Sequence, residues 1–378
     1  MPPDTVPPGT GPIACWRLDL RGVWESGILS REEGAERWDW DPGAGPEDVG
    51  ANHLRALWTP PMLDAHTHLG DAFIRPEREK LPRDITALVA PPNGYKHRRL
   101  AEADPDEMVA AMHERAEVMV QRGTQLTVDF REGGANGLGL LRDAVKETSL
   151  AALALARPAS PTAEPDAWAH EAEALVKGTA DGLGMSGMRD IPASLLDTAA
   201  DACKRLGKRL GLHLAEHVHE PMDAALALEP TLLVHLVETP IGEMADLADA
   251  EVLAVTCPTS NRFFDLRAPL DRLYATYKDH GLATAVGTDN AMLSDGGLRH
   301  EAIEAADRVP AADLEWLITS LTATPWRHLG LDPSPGALGP GILWGVDAKA
   351  PGAHPAEVTL RNATRFLGRP VRLAPPVR

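Results

Sequence analysis

His66 and His68 stand one residue apart after a short apolar run, in Pro60-Pro61-Met62-Leu63-Asp64-Ala65-His66-Thr67-His68. On a β-strand, residues i and i+2 point to the same face, so two imidazoles here can grip one cation. Further groups follow apolar runs of their own: His213 with Glu216, then His235, then Asp289. Neutral imidazoles and a carboxylate suit a borderline divalent ion such as Zn²⁺, Fe²⁺ or Mn²⁺. Such an ion with an open coordination position lowers the pKa of bound water from 15.7 to about 7, which yields hydroxide near neutral pH. The pattern points to metal-assisted hydrolysis.

These residues are far apart in the chain, so the fold must gather several strand ends. From about residue 60 to 330 short apolar runs alternate with helical stretches. The runs Pro61–His66, Leu126–Arg131, Leu150–Arg157, Gly182–Arg189, Arg209–His213, Thr231–His235, Val252–Thr256 and Ala283–Thr288 read as strands. The clearest helix opens on Asp104-Pro105-Asp106-Glu107, with Asp104 as N-cap, Pro105 in the first turn and Glu107 closing a capping box; Gly123 is its C-terminal signal. Pro165–Lys177, Pro192–Lys208 and Arg267–His280 read as helices too, and Pro158–Pro165 as a loop. Strands each followed by a helix predict a closed parallel (β/α)8 barrel of TIM type, an α/β fold whose active sites lie at the C-terminal strand ends. His66 and His68 would end strand 1, His213 strand 5, His235 strand 6 and Asp289 strand 8. An open doubly wound sheet is the alternative, but no Gly-x-Gly-x-x-Gly turn follows an early strand. The flanks differ in composition. Residues 1–59 and 331–378, the latter with Val358-Thr359-Leu360 and Val371-Arg372-Leu373 as strand candidates, predict a small β-rich accessory subdomain beside a barrel of residues 60–330.

The 378-residue chain carries a net charge of −18, which argues against a nucleic-acid surface. No run approaches the ~20 apolar residues that span a bilayer, and Met1-Pro2-Pro3-Asp4 lacks the basic and apolar regions of a signal peptide. Cys15, Cys203 and Cys257 show no disulfide or zinc-ribbon spacing. Cys257 precedes a proline with no base beside it, so it reads as a small buried residue rather than a nucleophile. The expectation is a cytoplasmic protein acting on a small molecule, without nucleic-acid or membrane partners; a homo-oligomer is compatible with this reading.

The ordered set Leu63-Asp64-Ala65-His66-Thr67-His68, His213-Leu214-Ala215-Glu216, Val234-His235, Cys257-Pro258-Thr259-Ser260-Asn261 and Gly287-Thr288-Asp289-Asn290 resembles the amidohydrolase superfamily. Within it, the similarity is to the branch of cytosine, guanine and S-adenosylhomocysteine-type deaminases and related chlorohydrolases, over roughly residues 58–345. The resemblance implies that His66, His68, His213 and Asp289 ligate the metal. Glu216 would shuttle protons, His235 would orient the water, and Asp289 would also take a proton; His217 and His219 receive no ligand role. Binuclear members bridge two ions with a carboxylated lysine at the end of strand 4. Here Gly187-Met188-Arg189-Asp190 offers none, and Lys177 and Lys204 fall in expected helices, so one divalent ion is expected, Zn²⁺ foremost, with Fe²⁺ or Mn²⁺ as alternatives. Arg131, Arg189 and Asn290 are candidates for binding substrate. An arginine fork suits a carboxylate, carbonyl or phosphate, and the competing reading for both arginines is a salt-bridged barrel rim. Glu132 stands beside Arg131, and strand alternation lets either one face the metal.

The function implied is hydrolysis of a C–N bond other than a peptide bond: deamination of an amino-substituted heterocycle, purine-, pyrimidine- or pterin-like, by metal-bound hydroxide. A cyclic amide or a carbon–halogen bond is the alternative at the same site. A non-catalytic barrel with a structural metal is a third reading; Glu216 and His235 argue against it, because a structural site needs only a closed ligand set.

Overall fold

The computed structural model describes residues 12–19, 21–30, 39–43, 55–294, 297–306, 308–309, 313–331, 342–346 and 363–366. Strands β1 (Ile13–Leu18), β2 (Trp24–Ser30), β3 (Asp39–Pro42) and β4 (Arg55–Thr59) come first. The barrel strands are β5 (Met62–His68), β6 (Thr124–Arg131), β7 (Ala151–Ala156), β8 (Gly182–Met185), β9 (Arg209–Leu214), β10 (Leu232–His235), β11 (Leu253–Thr256), β12 (Thr284–Val286) and β13 (Asp289–Asn290). Two more follow, β14 (Ile342–Val346) and β15 (Ala363–Phe366).

One sheet runs β12-β11-β10-β9-β8-β7-β6-β5-β13, all of its pairs parallel. Its two ends, β12 and β13, are consecutive pieces of one stretch of chain interrupted at Gly287-Thr288, so the sheet returns on itself as a barrel of TIM type. Strands covered on both faces read as continuous apolar runs, and every residue of β5 and β6 is buried. Leu63, Val128, Phe130, Leu155, Val234 and Val255 pack in one buried cluster. A larger cluster includes Met112, Leu141, Trp168 and Leu196, contributed by helices. The helix Pro105–Gln121 starts as the sequence predicts: the Asp104 carboxylate accepts from the N–H groups of Asp106 and Glu107. Gly123, two residues past the helix, has φ +95°, the left-handed conformation that glycine takes up readily.

Two features fix the closure of the barrel. The Asp64 carboxylate of β5 accepts from the Thr288 hydroxyl at 2.7 Å and from its N–H at 3.0 Å. Gly287 lies so close that a Cβ there would sit 2.7 Å from His66 Cβ and 2.8 Å from its carbonyl oxygen. In the resulting register Asp289 pairs with Thr67 and Asn290 with His68.

The second sheet, β15-β14-β4-β1-β2-β3, joins strands from both ends of the chain. β14 runs antiparallel to β4, with Trp344 opposite Leu57. Strands from residues 13–59 and 342–366 thus pair in one sheet. The strand candidates Val358–Leu360 and Val371–Leu373 lie outside the described residues.

Two boundaries differ from expectation. The fourth barrel strand stops at Met185 rather than Arg189, because the chain turns at Ser186-Gly187, where the Asp190 N–H bonds the Gly187 carbonyl at 3.0 Å. The last strand is split rather than continuous over Ala283–Thr288. The three cysteines are free and buried. Among the described residues, no helix is long and apolar enough to cross a membrane.

Candidate metal centre

The C-terminal ends of β5, β9 and β10 and the start of β13, just past β12, bring His66, His68, His213, His235 and Asp289 to one mouth of the barrel. His66 Nε2 lies 3.2 Å from Asp289 Oδ1, His68 Nε2 lies 3.7 Å from the same oxygen, and His68 Nε2 lies 3.3 Å from His213 Nε2. Donor atoms of His66, His68 and His213 lie within 4.8 Å of one another, as do those of His66, His235 and Asp289. Phe130 backs the cluster, its ring edge-on to His66 at 4.5 Å and to His213 at 5.1 Å.

The hydrogen bonds decide which nitrogens are free. A carbonyl oxygen can only accept. His68 Nδ1–H donates to the Phe130 carbonyl at 3.1 Å, and His213 Nδ1–H donates to the Met185 carbonyl at 2.8 Å. In the neutral rings both Nε2 atoms then carry bare lone pairs, and these face each other at 3.3 Å. Two lone pairs in that position repel, and a shared cation removes the conflict. Backbone-oriented imidazoles of this kind are the usual outer support of a metal ligand.

Electrostatics sets the matching protonation state. Burial holds the His66 imidazole below its usual range. Burial, with the Lys96 ammonium nearby, takes His68 down to about 3. Burial and the neighbouring imidazoles hold His213 well below its usual value. Burial alone would raise the Asp289 carboxyl, but the His66 hydrogen bond and the surrounding imidazoles outweigh it and hold Asp289 well below the carboxylate range. Neutral imidazoles with an ionised carboxylate are the form that binds a divalent ion. The donor set therefore fits such an ion.

Glu216 follows β9 by two residues, and its Oε1 lies 3.7 Å from His235 Nε2. Burial raises its carboxyl, with His235 opposing the effect and Asp289 adding to it. His235 and Asp289 hold left-handed backbone, with φ of +80° and +58°, a conformation that non-glycine residues reach at a cost. All of these residues except His66 line a cavity of about 270 Å³. Ile85, Val89 and Pro91, from the segment after β5, give it an apolar wall; Arg157, Arg189, Asp190 and His217 give a polar one.

The sequence-derived substrate candidates separate here. Arg131 does not line the cavity. Its guanidinium is buried behind Glu132, 2.7 Å from Glu132 Oε2 and 3.4 Å from Asp129 Oδ1. The register of β6 sends Glu132 to the mouth instead, where its Oε1 lies 3.0 Å from His68 Nδ1. Arg189 stands past the shortened β8, at the exposed rim of the cavity. Asn290 lines the cavity and accepts from Lys96 Nζ at 3.0 Å. His217 is a wall residue, and His219 meets Glu243 at 2.9 Å on the surface. Burial pushes the Cys257 thiol well up, in line with a residue that only packs.

Two residues of the site have no forerunner in the sequence motifs. Arg157, one residue past β7, lines the cavity with its Nε buried and without a hydrogen-bond partner among the described residues. Its place at a strand end is the signal that could have found it. Lys96 reaches the site from a helix in the long β5–β6 connection, which carries no periodic or motif signal.

No family model matches the chain. A protein of Archaeoglobus fulgidus provisionally named an aminohydrolase is 34% identical over 247 residues, covering 64% of this chain and 66% of that one. One of Methanothermobacter thermautotrophicus with the same name is 28% identical over 258 residues, covering 64% and 65%. The alignments span just under two thirds of the length of these two relatives. Among solved structures, a zinc-bound adenosine deaminase from Xanthomonas campestris matches with a TM-score of 0.70 at 16% identity, over 96% of this chain and 92% of that one. A 5-methylcytosine deaminase from Klebsiella pneumoniae matches with 0.66 at 14% identity, over 97% and 98%. A zinc complex of atrazine chlorohydrolase from Arthrobacter aurescens matches with 0.65 at 16% identity, over 96% of both chains. These neighbours are amidohydrolase-superfamily deaminases and a chlorohydrolase, and the chain has their fold.

Proposed function

We propose that this protein is a metal-dependent hydrolase of C–N bonds outside peptides, and that it deaminates an amino-substituted heterocycle. The observation that carries the reading is the meeting of three imidazole Nε2 atoms and an ionised Asp289 at the barrel mouth, with the Glu216 carboxyl beside His235 in the same cavity. His66, His68, His213 and Asp289 would hold one divalent ion, zinc foremost. No lysine lies at the end of β8 to bridge a second. When bound, the ion supplies water acidified from 15.7 to about 7.

The chain's own groups do the rest. Asp289, ionised and at the centre of the imidazoles, accepts a proton from the attacking water. Glu216, with its carboxyl raised, delivers a proton to the ring nitrogen of the substrate and collects one for the leaving amine, which departs as ammonia; one carboxyl serves as acid and base in turn. His235, beside Glu216, orients the water. The apolar wall of Ile85, Val89 and Pro91 packs the ring and excludes solvent. At the polar wall Arg157 and Arg189 offer forked donors to a carbonyl or acidic substituent, and Asn290 holds the edge nearest Asp289.

The test is ammonia release from aminopurines, aminopyrimidines and pterins by the zinc-loaded protein, with and without chelator. Glu216→Gln keeps the shape but cannot shuttle protons, and should lose about 10²–10⁴-fold in kcat with its zinc retained. Zinc lost from that variant would make Glu216 a ligand. No ammonia from any member of the panel, with cyclic amides or chlorinated rings hydrolysed instead, would replace deamination as the reaction.

A further inference from the structure

Lys96 lies in the helix Tyr95–Glu102, part of the connection between β5 and β6. It is the one side chain of that helix that is buried outright. A lysine is rarely buried unless paired, and here the ammonium has two carboxylates and one amide oxygen around it. Nζ stands 2.7 Å from Glu132 Oε1, 3.0 Å from Asn290 Oδ1 and 3.4 Å from Asp71 Oδ2. Asn290 Oδ1 accepts a hydrogen bond from the ammonium and the two carboxylates pair with its charge; the three oxygens come from three separate parts of the mouth: the end of β6, β13, and the segment just after β5.

Each acceptor leads to the candidate metal centre. Glu132 Oε1 also lies 3.0 Å from His68 Nδ1, and Glu132 Oε2 is fastened by Arg131 at 2.7 Å. Asn290 follows Asp289 directly. Asp71 takes the Met292 N–H at 2.8 Å, which ties the segment after β13 to the one after β5. We infer that Lys96 is a positioning residue of the metal centre: its ammonium holds Glu132 against the His68 imidazole and draws Asn290, and so β13, toward the same point. This rests on the metal-centred reading above.

The geometry has a chemical sense. Asp71 is buried and Glu132 only 10% exposed, both near the cluster. Without Lys96, Glu132 would keep Arg131 on Oε2 alone, and its Oε1 would compete for the divalent ion or turn away from His68. Lysine supplies one compact charge that three oxygens can share, which a planar guanidinium cannot do from a single point.

The test measures zinc affinity by competition with a chromophoric chelator, so it does not depend on turnover. The chains compared are the full-length wild type, Lys96→Met, Glu132→Gln and the double variant. Losing a residue that orients a ligand costs about 10–100-fold in metal affinity, and Lys96→Met should lose that much. Because Lys96 is held to act through Glu132, the double variant should match Glu132→Gln alone to within about twofold. Zinc affinity unchanged in Lys96→Met, or losses that multiply in the double variant, would overturn the inference. Should Lys96→Met fail to fold, the double variant decides, since it leaves no Glu132 charge short of Lys96: equality with Glu132→Gln supports the inference, and a further tenfold loss rejects it. A wild type that binds no zinc would instead sink the metal-centred reading itself.

Discussion

Replacing Arg131 by methionine separates two roles that look alike in the sequence. An arginine at a barrel strand end can grip substrate or brace the rim. Here the arginine is 1% exposed, with Nη2 2.7 Å from Glu132 Oε2 and Nη1 3.4 Å from Asp129 Oδ1. Asp129 is fully buried, keeping the Leu69 N–H at 2.6 Å and the Thr67 hydroxyl at 3.1 Å as its other donors. Methionine fills the space of the aliphatic stem, leaves the buried Asp129 without its cation and leaves Glu132 with Lys96 alone. Breaking a buried pair from one side costs about 3–5 kcal/mol. Arg131→Met should therefore lower the urea midpoint by that equivalent, with the m-value unchanged because the same surface is exposed on unfolding. KM of the folded fraction for a deaminated substrate should stay within about twofold. The assays are circular dichroism across a urea series and steady-state ammonia release. An unmoved midpoint with KM raised tenfold or more would refute the reasoning and restore Arg131 as a substrate anchor.

Two other outcomes follow from close packing and buried charge. Gly287→Ala puts a methyl group 2.7 Å from His66 Cβ and 2.8 Å from its carbonyl, so β13 must move off β5; bound zinc should fall and stability drop by about 1–3 kcal/mol, and undiminished zinc in a folded Gly287→Ala chain would contradict this. Glu301 is buried, accepting from the Thr259 N–H at 2.8 Å and the Ser294 hydroxyl at 3.1 Å, and burial pushes its carboxyl from 4.5 up to about 8. An acid raised by folding binds more protons in the folded state between those values. Its contribution to stability is therefore complete below pH 4.5 and is lost as pH rises toward 8, at up to ~1.4 kcal/mol per pH unit. Glu301→Gln should flatten the decline in urea midpoint between pH 5 and 8, and an unchanged slope would show that other groups set it.

The sequence by itself determined the repeating frame and the chemistry of the centre. Apolar runs ending in His66-Thr67-His68, His213, His235 and Asp289 encode strand ends, because a parallel barrel strand is buried along its length and polar only where it emerges. Asp104-Pro105 likewise encoded a helix start through purely local hydrogen bonding. What the tertiary structure decided lies where local rules are silent. Arg131 and Glu132 are neighbours, and which of them faces the mouth depends on the register of β6 against β5, which shifts between Asp64 and Thr67. Arg189 missed the strand end because β8 is only four residues long, a length that Gly-Leu-Gly-Met-Ser-Gly does not specify. Lys96 is separated from His68 by 27 residues of connection without periodicity. Only the folded path brings its ammonium to Glu132, Asn290 and Asp71, because ion pairing between distant segments is set by where the chain returns and leaves no spacing to read.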